Sequence, residues 1–204
     1  MAHNRYGSQL LDEAVEQFAS LPGVGRKTAL RLALHMLGRD SAGVERFSNA
    51  FLNLKDSIRY CPECNMISDD GVCPFCSDSR RDHSVICVVE SLRDVFSIEN
   101  TGQYSGLYHI LGGIISPMDG IGPGDLPIAE LVDRIAGGAV REVVLALSTG
   151  IEGETTSFYI YKQISALPVT VTAIARGVGF GDDLEYTDEL TLGRSMQNRQ
   201  PFNP

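Results

Sequence analysis

Residues 61–76 read CPECNMISDDGVCPFC, and the two Cys-x-x-Cys pairs within them, Cys61/Cys64 and Cys73/Cys76, decide how the rest of the chain is understood. Four thiolates at this spacing can surround one tetrahedral ion, and such a ligand set suits zinc far better than oxygen-preferring metals. A closed four-ligand shell leaves no position for substrate, so the ion's role is structural. The stretch carries few apolar residues, Met66, Ile67, Val72 and Phe75, while Ser68-Asp69-Asp70-Gly71 reads as a turn. Such a loop cannot bury enough surface to fold alone. Metal has to hold it, and structural zinc in small modules contributes on the order of 10 kcal/mol. Two disulfides or an iron–sulfur cluster are the alternatives for the same thiols; the paired spacing favours one Zn2+ per chain.

Length and composition bound what lies around this module. At 204 residues, 43% apolar and 21% charged, the chain can form one large or two small cores. The start, MAHNRYGSQLLDE, has no basic segment leading into an apolar run, and no later stretch approaches a membrane span. The expectation is therefore a cytoplasmic protein with no membrane contact, in a reducing compartment where clustered cysteines bind metal more often than they pair. The fifth cysteine, Cys87, lies in VICVV and reads as a small buried hydrophobe. A net charge of −9 argues against a nucleic-acid partner, but the charges are segregated. Residues 1–60 hold eight Lys/Arg against six Asp/Glu, a balance of +2; the remainder holds nine against twenty, a balance of −11. A polyanion should therefore meet the N-terminal part.

That part reads as helical. Ser8 is a fair N-cap, and Leu10, Leu11, Ala14, Val15 and Phe18 form one apolar stripe ending at Leu21-Pro22-Gly23. A second helix is predicted over Thr28 to Gly38, with Leu30, Leu34 and Leu37 on one face and Ala29, Ala33 and Met36 beside it. In the connection, Gly23 and Gly25 can take positive φ and admit a ligand close to the backbone, while Val24 plugs back into the core. Arg26, Lys27 and the opening amides of the second helix then make a phosphate seat, to which Arg31 adds. On geometry alone an ordinary hairpin with a solvated basic turn reads the same. The run LPGVGRKTALRLALHML, however, resembles the helix-hairpin-helix motif, whose Gly-hydrophobic-Gly turn grips DNA backbone without reading sequence. A third helix is predicted from about Gly43 to Ile58, with Val44, Phe47, Phe51, Leu54 and Ile58 at helical spacing.

After Arg80-Arg81 strands and helices alternate, as in a parallel sheet. Val85 to Val89 is a buried strand ending in Glu90; a helix follows from Leu92 to Asn100, then a short strand around Leu107 to Leu111. Gly112 to Pro127, with five glycines and three prolines, reads as an extended loop. Ile128 to Ile135 is predicted as a helix, Glu142 to Leu147 as a strand, Ser148 to Glu154 as a loop, Thr155 to Ala166 as a helix and Val169 to Ile174 as a strand. A glycine-rich loop, Gly177 to Gly181, and a polar helical tail close the chain. In a parallel sheet, ligands gather beyond the strands' carboxyl ends. Glu90, Glu152 and Glu154 are expected to converge there, and mutually repelling carboxylates favour Mg2+ or a basic partner. Solvated loop charges are the plain alternative.

This arrangement resembles the Toprim domain of topoisomerases and primases, which places a Glu after the first strand and an Asp-x-Asp after a later one. Here Ser148 and Gly150 fill the two aspartate positions, which weighs against metal-dependent strand cleavage. Taken in order, LPGVGRKTALRLALHML, CPECNMISDDGVCPFC, VVESLRDVFSIENTGQYSGLYHILGG, SPMDGIGP, EGETTSFYIY and ARGVGFGDDLEYTDELTLGRSM resemble the RecR family of bacterial recombination mediators over nearly the whole chain.

The resemblance implies a multidomain α+β protein. Its parts would be a helix-hairpin-helix DNA-binding domain (1–55), a four-cysteine zinc module (56–79), a Toprim-like domain with a largely parallel sheet (80–176) and a glycine-rich loop and tail (177–204). It further implies a DNA-repair protein without catalysis of its own. RecR-like proteins form ring-shaped homotetramers, or dimers of dimers, that encircle DNA, associate with RecO and RecF, and help load RecA on gapped DNA coated by SSB. By that analogy Glu90, Glu152 and Glu154 form a RecO-facing or metal-binding patch. The competing readings are a magnesium-dependent Toprim nuclease or primase-like phosphoryl transferase, and a zinc adaptor that binds protein alone. No Gly-x-x-x-x-Gly-Lys-Ser/Thr occurs, so ATP hydrolysis is not assigned. The sequence alone assigns no contacts to Asp119, Asp182 or Asp183.

Overall fold

Ser8 accepts a hydrogen bond from the Leu11 amide at 3.4 Å and so starts α1 (Gln9–Ala19). The computed structural model describes residues 5–179, 181–199 and 201, so Phe180 of the glycine-rich loop and the last residues of the predicted tail lie outside it. The chain divides into two compact units between Ile58 and Arg59. In the first, α1 is followed by α2 (Arg26–Leu37) and α3 (Ser41–Ser57). Helix α2 begins two residues before the predicted Thr28, because Gly25 takes the extended N-cap conformation (φ −74°, ψ 158°) and lets Arg26 open the helix. Helix α3 likewise begins ahead of Gly43, since Asp40 caps it by accepting from the Gly43 amide at 2.9 Å.

The core of this unit is small: Val15, Ala29 and Ala33, with Leu11, Phe18, Val24 and Leu30 packed around them. Ala29 and Ala33 of α2 are turned inward with Leu30 at their side, while Leu34 and Leu37 of the predicted leucine face remain exposed. Short side chains let two helices approach closely, which decides the facing here. The aromatic stripe of α3 is also exposed: Phe47 and Phe51 stack edge to face with centroids 5.1 Å apart, and neither is buried.

The second unit opens with a two-stranded antiparallel hairpin, β1 (Arg59–Tyr60) and β2 (Ile67–Ser68), and the single-turn helix α4 (Pro74–Ser77). An α/β layer follows: β3 (Asp82–Val89), α5 (Leu92–Glu99), β4 (Gly106–Ile110), α6 (Ile128–Ala136), β5 (Glu142–Ala146), α7 (Ile151–Ile164) and β6 (Thr170–Ala173). The four long strands form a wholly parallel sheet in the order β4-β3-β5-β6. The segment between β4 and α6 is an ordered excursion, folded by a bridge between Ser116 and Ile121 and a 3-10 turn at Pro123–Asp125. After β6 come a second 3-10 turn, Leu184–Tyr186, and α8 (Glu189–Gln197). The fold class is α+β.

Period-2 alternation divides the strands between two cores. Ile86, Val88, Leu107, Val143 and Leu145 point to one face, against Leu131 and Ile135 of α6 and Ile160 and Ile164 of α7. Cys87, Val89, Tyr108 and Ile110 point to the other, which α5 covers through Val95 and the cysteine module covers through its own thiols and Met66. The module therefore shares a core with the sheet. It also covers an edge: the Ile110 amide donates to the Cys64 carbonyl at 2.9 Å, and the Asn65 side-chain amide donates to the Ile110 carbonyl at 3.0 Å. Edge strands with free backbone groups invite association, and here the knuckle occupies those groups.

Candidate metal centre and nucleic-acid interface

The knuckle that carries Cys61 and Cys64 is closed by its own backbone. The Cys61 amide donates to the Met66 carbonyl at 2.7 Å, and the Asn65 amide donates to the Cys61 carbonyl at 2.9 Å. This tight turn puts Asn65 at φ 61°, a left-handed conformation that Asn tolerates better than most residues. The second pair rides on α4, where Cys73 is the N-cap and its sulfur accepts from the Cys76 amide at 3.5 Å. All four sulfurs lie within 4.8 Å of one another and all four residues are buried. The Cys64 and Cys73 sulfurs are 3.4 Å apart, close to the roughly 3.8 Å that a tetrahedral zinc–thiolate site requires. The thiols are free, not paired as disulfides.

Four thiols this close cannot all ionise without a counter-charge. The hydrogen bond to Cys76, together with burial, pushes Cys64 far above its ordinary range. That same bond pulls Cys76 down to about 6, with the positive charge of Arg134 adding to it against burial. Burial pushes Cys73 up to about 11. A divalent cation resolves this competition by holding all four as thiolates. The donor set, its burial and its spacing therefore fit structural zinc. Cys87 lies in the same core but outside the cluster, and burial raises it to about 12.

The helical unit presents a separate feature. Between α1 and α2, Gly23 sits at φ 78° and the Val24 amide closes the turn on the Leu21 carbonyl at 3.1 Å, which tucks Val24 against the core. Gly25 has open space where a Cβ would stand. It offers no side chain to cap α2, and first-turn amides have no carbonyl partner within their own helix. Arg26, Lys27 and Arg31 are all exposed around this helix start, with Lys27 and Arg31 on one face four residues apart. Arg26 pairs with Glu16 at 3.2 Å in an exposed ion pair. Uncapped amides, a positive helix end and three cations make an anion seat.

The acidic residues are arranged differently from the sequence expectation. Glu152 and Glu154 belong to the first turn of α7, not to a loop, because the helix starts at Ile151 and carboxylates suit its positive end. Gly153 makes this possible: a Cβ there would lie 2.2 Å from the Ser148 carbonyl oxygen and 2.4 Å from its hydroxyl. Glu90 accepts the Ser148 amide, and Glu154 pairs with Arg176. The Glu152 side chain makes neither kind of bond among the described residues. The four cysteines are the one group of three or more potential metal ligands brought together among the described residues, so the three glutamates form no such group. Asp119 accepts from the Ser116 hydroxyl at 2.8 Å and Asp182 accepts from the Gly179 amide at 3.1 Å, both as turn-forming contacts. The carbonyl of Asp183 accepts from the Thr187 hydroxyl at 3.2 Å.

Sequence reasoning passes over Asn65, Arg134 and Arg176. Only Asn65 carries a signal, as a turn-forming residue directly after a Cys-x-x-Cys pair. No helix among the described residues is long and apolar enough to cross a membrane.

Family models match in chain order: the RecR helix-hairpin-helix over residues 11–54, the RecR four-cysteine zinc finger domain over 58–78, the Toprim domain over 84–175 and the RecR C-terminal region over 177–200. The recombination protein RecR of Parabacteroides distasonis is 58% identical over 201 residues, covering 98% of this chain and 97% of its own. That of Phocaeicola vulgatus is 58% identical over 200 residues, covering 98% of each chain, and that of Porphyromonas gingivalis is 55% identical over 199 residues, covering 98% and 96%. With identity of this order over nearly the whole chain, and family models for each of these regions, the chain belongs to the RecR family of recombination proteins.

Proposed function

We propose that this chain is a non-catalytic DNA-binding mediator of recombinational repair, acting as a ring-shaped homotetrameric clamp that works with RecO and RecF to load RecA on SSB-coated gapped DNA. The observation that carries the DNA-binding part is the uncapped start of α2, where Gly25, Arg26 and Lys27 are exposed together beside a turn held by Gly23. Such a seat takes phosphate and reads no base, so binding is sequence-independent. The RecR membership supports the clamp and its partners. Support for the absence of strand cleavage comes from Ser148 and Gly150 at the two positions where a Toprim enzyme carries aspartates. It comes also from Glu90 and Glu154, which are engaged with Ser148 and Arg176. Glu152, a carboxylate with no such bond among the described residues, is the residue of that edge that faces a basic partner such as RecO.

The test is binding of the full chain, with and without RecO, to gapped DNA across a salt series, followed by incubation with magnesium. Arg26→Ala and Lys27→Ala are each expected to weaken binding uniformly across sequences and to lower the salt slope by about 1. The DNA should emerge uncut. Unchanged affinity in the double variant removes the seat from the reading, and strand cleavage by the purified protein overturns the non-catalytic part.

A further inference from the structure

Arg134 extends from α6 across the sheet edge to the cysteine cluster, from which it is separated by 58 residues of sequence. One guanidinium nitrogen donates to the Tyr108 carbonyl on β4 at 2.8 Å, and the other donates to the sulfur of Cys76 at 3.8 Å. Four thiolates around a divalent ion leave a net charge of −2, and a buried net charge is costly unless opposite charge and hydrogen bonds meet it. The neighbouring cation, Arg81, lies over the Phe75 ring at 4.6 Å but pairs with Glu99 at 2.5 Å. Among the described residues, Arg134 is the basic side chain that donates to one of the four sulfurs.

We infer that Arg134 is a positioning residue of the zinc centre: it neutralises part of the tetrathiolate charge at Cys76 while its second nitrogen fixes β4, so a helix outside the cysteine module governs how firmly the metal is held. A ligand's hydrogen-bonding partners typically change metal affinity 10- to 100-fold when removed. The guanidinium fork suits the task, because one rigid plane reaches a carbonyl and a sulfur at once.

The test uses the full chain, loaded with zinc and separately with cobalt(II). Arg134→Gln is expected to release zinc to a competing chelator about tenfold faster than wild type. Its sulfur-to-cobalt charge-transfer band should move to lower energy, since loss of the cation leaves more electron density on sulfur. Arg134→Lys should recover part of both effects. Arg80→Gln, which alters an exposed arginine paired with Asp78, should change neither. A purely structural role at the Tyr108 carbonyl would leave the cobalt band where it is. A wild-type release rate or an unshifted band in Arg134→Gln overturns the inference. If Arg134→Gln does not fold, wild type is compared with Arg134→Lys, and identical release rates and spectra overturn it equally.

Discussion

The backbone amide of Ser148 donates to the carboxylate of Glu90 at 2.5 Å, so the acid directly after β3 fixes the loop leaving β5. These two strands are neighbours in the sheet, and the bond ties their carboxyl ends together where the chain turns into α7. The position that resembles a Toprim metal ligand thus has a defined task inside the protein.

Glu90→Ala should therefore lower stability by about 1 kcal/mol, below the roughly 1.5–3 kcal/mol of a bond to a charged group because this one is exposed to water. Glu90→Gln keeps an acceptor and should lie nearer to wild type. Urea midpoints of the three proteins check this, and an unchanged midpoint in Glu90→Ala would show that the bond contributes nothing.

Gly153 poses a contest between two effects. In a free helix, replacing Gly by Ala stabilises by about 1 kcal/mol. Here the added Cβ would meet the Ser148 carbonyl oxygen at 2.2 Å, a backbone atom that cannot rotate away. Overpacking of this kind costs about 1–3 kcal/mol, so packing wins and Gly153→Ala should lower the melting temperature. A raised melting temperature would mean that the start of α7 can shift freely.

Glu99 gives the fold a pH dependence. Burial pushes its pKa up, but hydrogen bonds from Arg81 and Tyr108 outweigh this and hold it below its ordinary 4.5. A group depressed in the folded state stabilises fully above its unfolded value and loses that contribution as pH falls through the folded value. Glu99→Gln should therefore be less stable than wild type at neutral pH, and its stability should fall less steeply below about pH 4.5. Urea unfolding across that range measures both slopes, and parallel slopes would contradict the assignment.

The cysteine knuckles, the hairpin glycines and the β-rich runs are legible from sequence because each rests on local chemistry: fixed ligand spacing, backbone freedom, or apolar periodicity. The facing of α2 is not, because composition ranks leucine above alanine as core, whereas closely approaching helices select the smaller residue. The start of α7 falls earlier than the sequence suggests because Gly153 looks like a helix breaker. Only the Ser148 carbonyl, in the turn that leads from β5 into α7, explains a glycine there, and its approach depends on a backbone path that residue types alone do not reveal. That Glu90, Glu152 and Glu154 do not gather as a group of metal ligands is hidden for a similar reason, since sequence does not reveal that Arg176 claims one of them and Ser148 another. Arg134 lies beyond any local rule, as its partner at Cys76 comes from a different module.

Because Cys64 and Asn65 bond to both backbone groups of Ile110, the metal-bearing turn works as a stopper on one side of the sheet. At the opposite side β6 is partly exposed and, among the described residues, pairs only with β5. The two sides of the sheet thus differ in character: beside β4 the knuckle takes up both backbone groups of Ile110, whereas beside β6 no further strand pairs among the described residues.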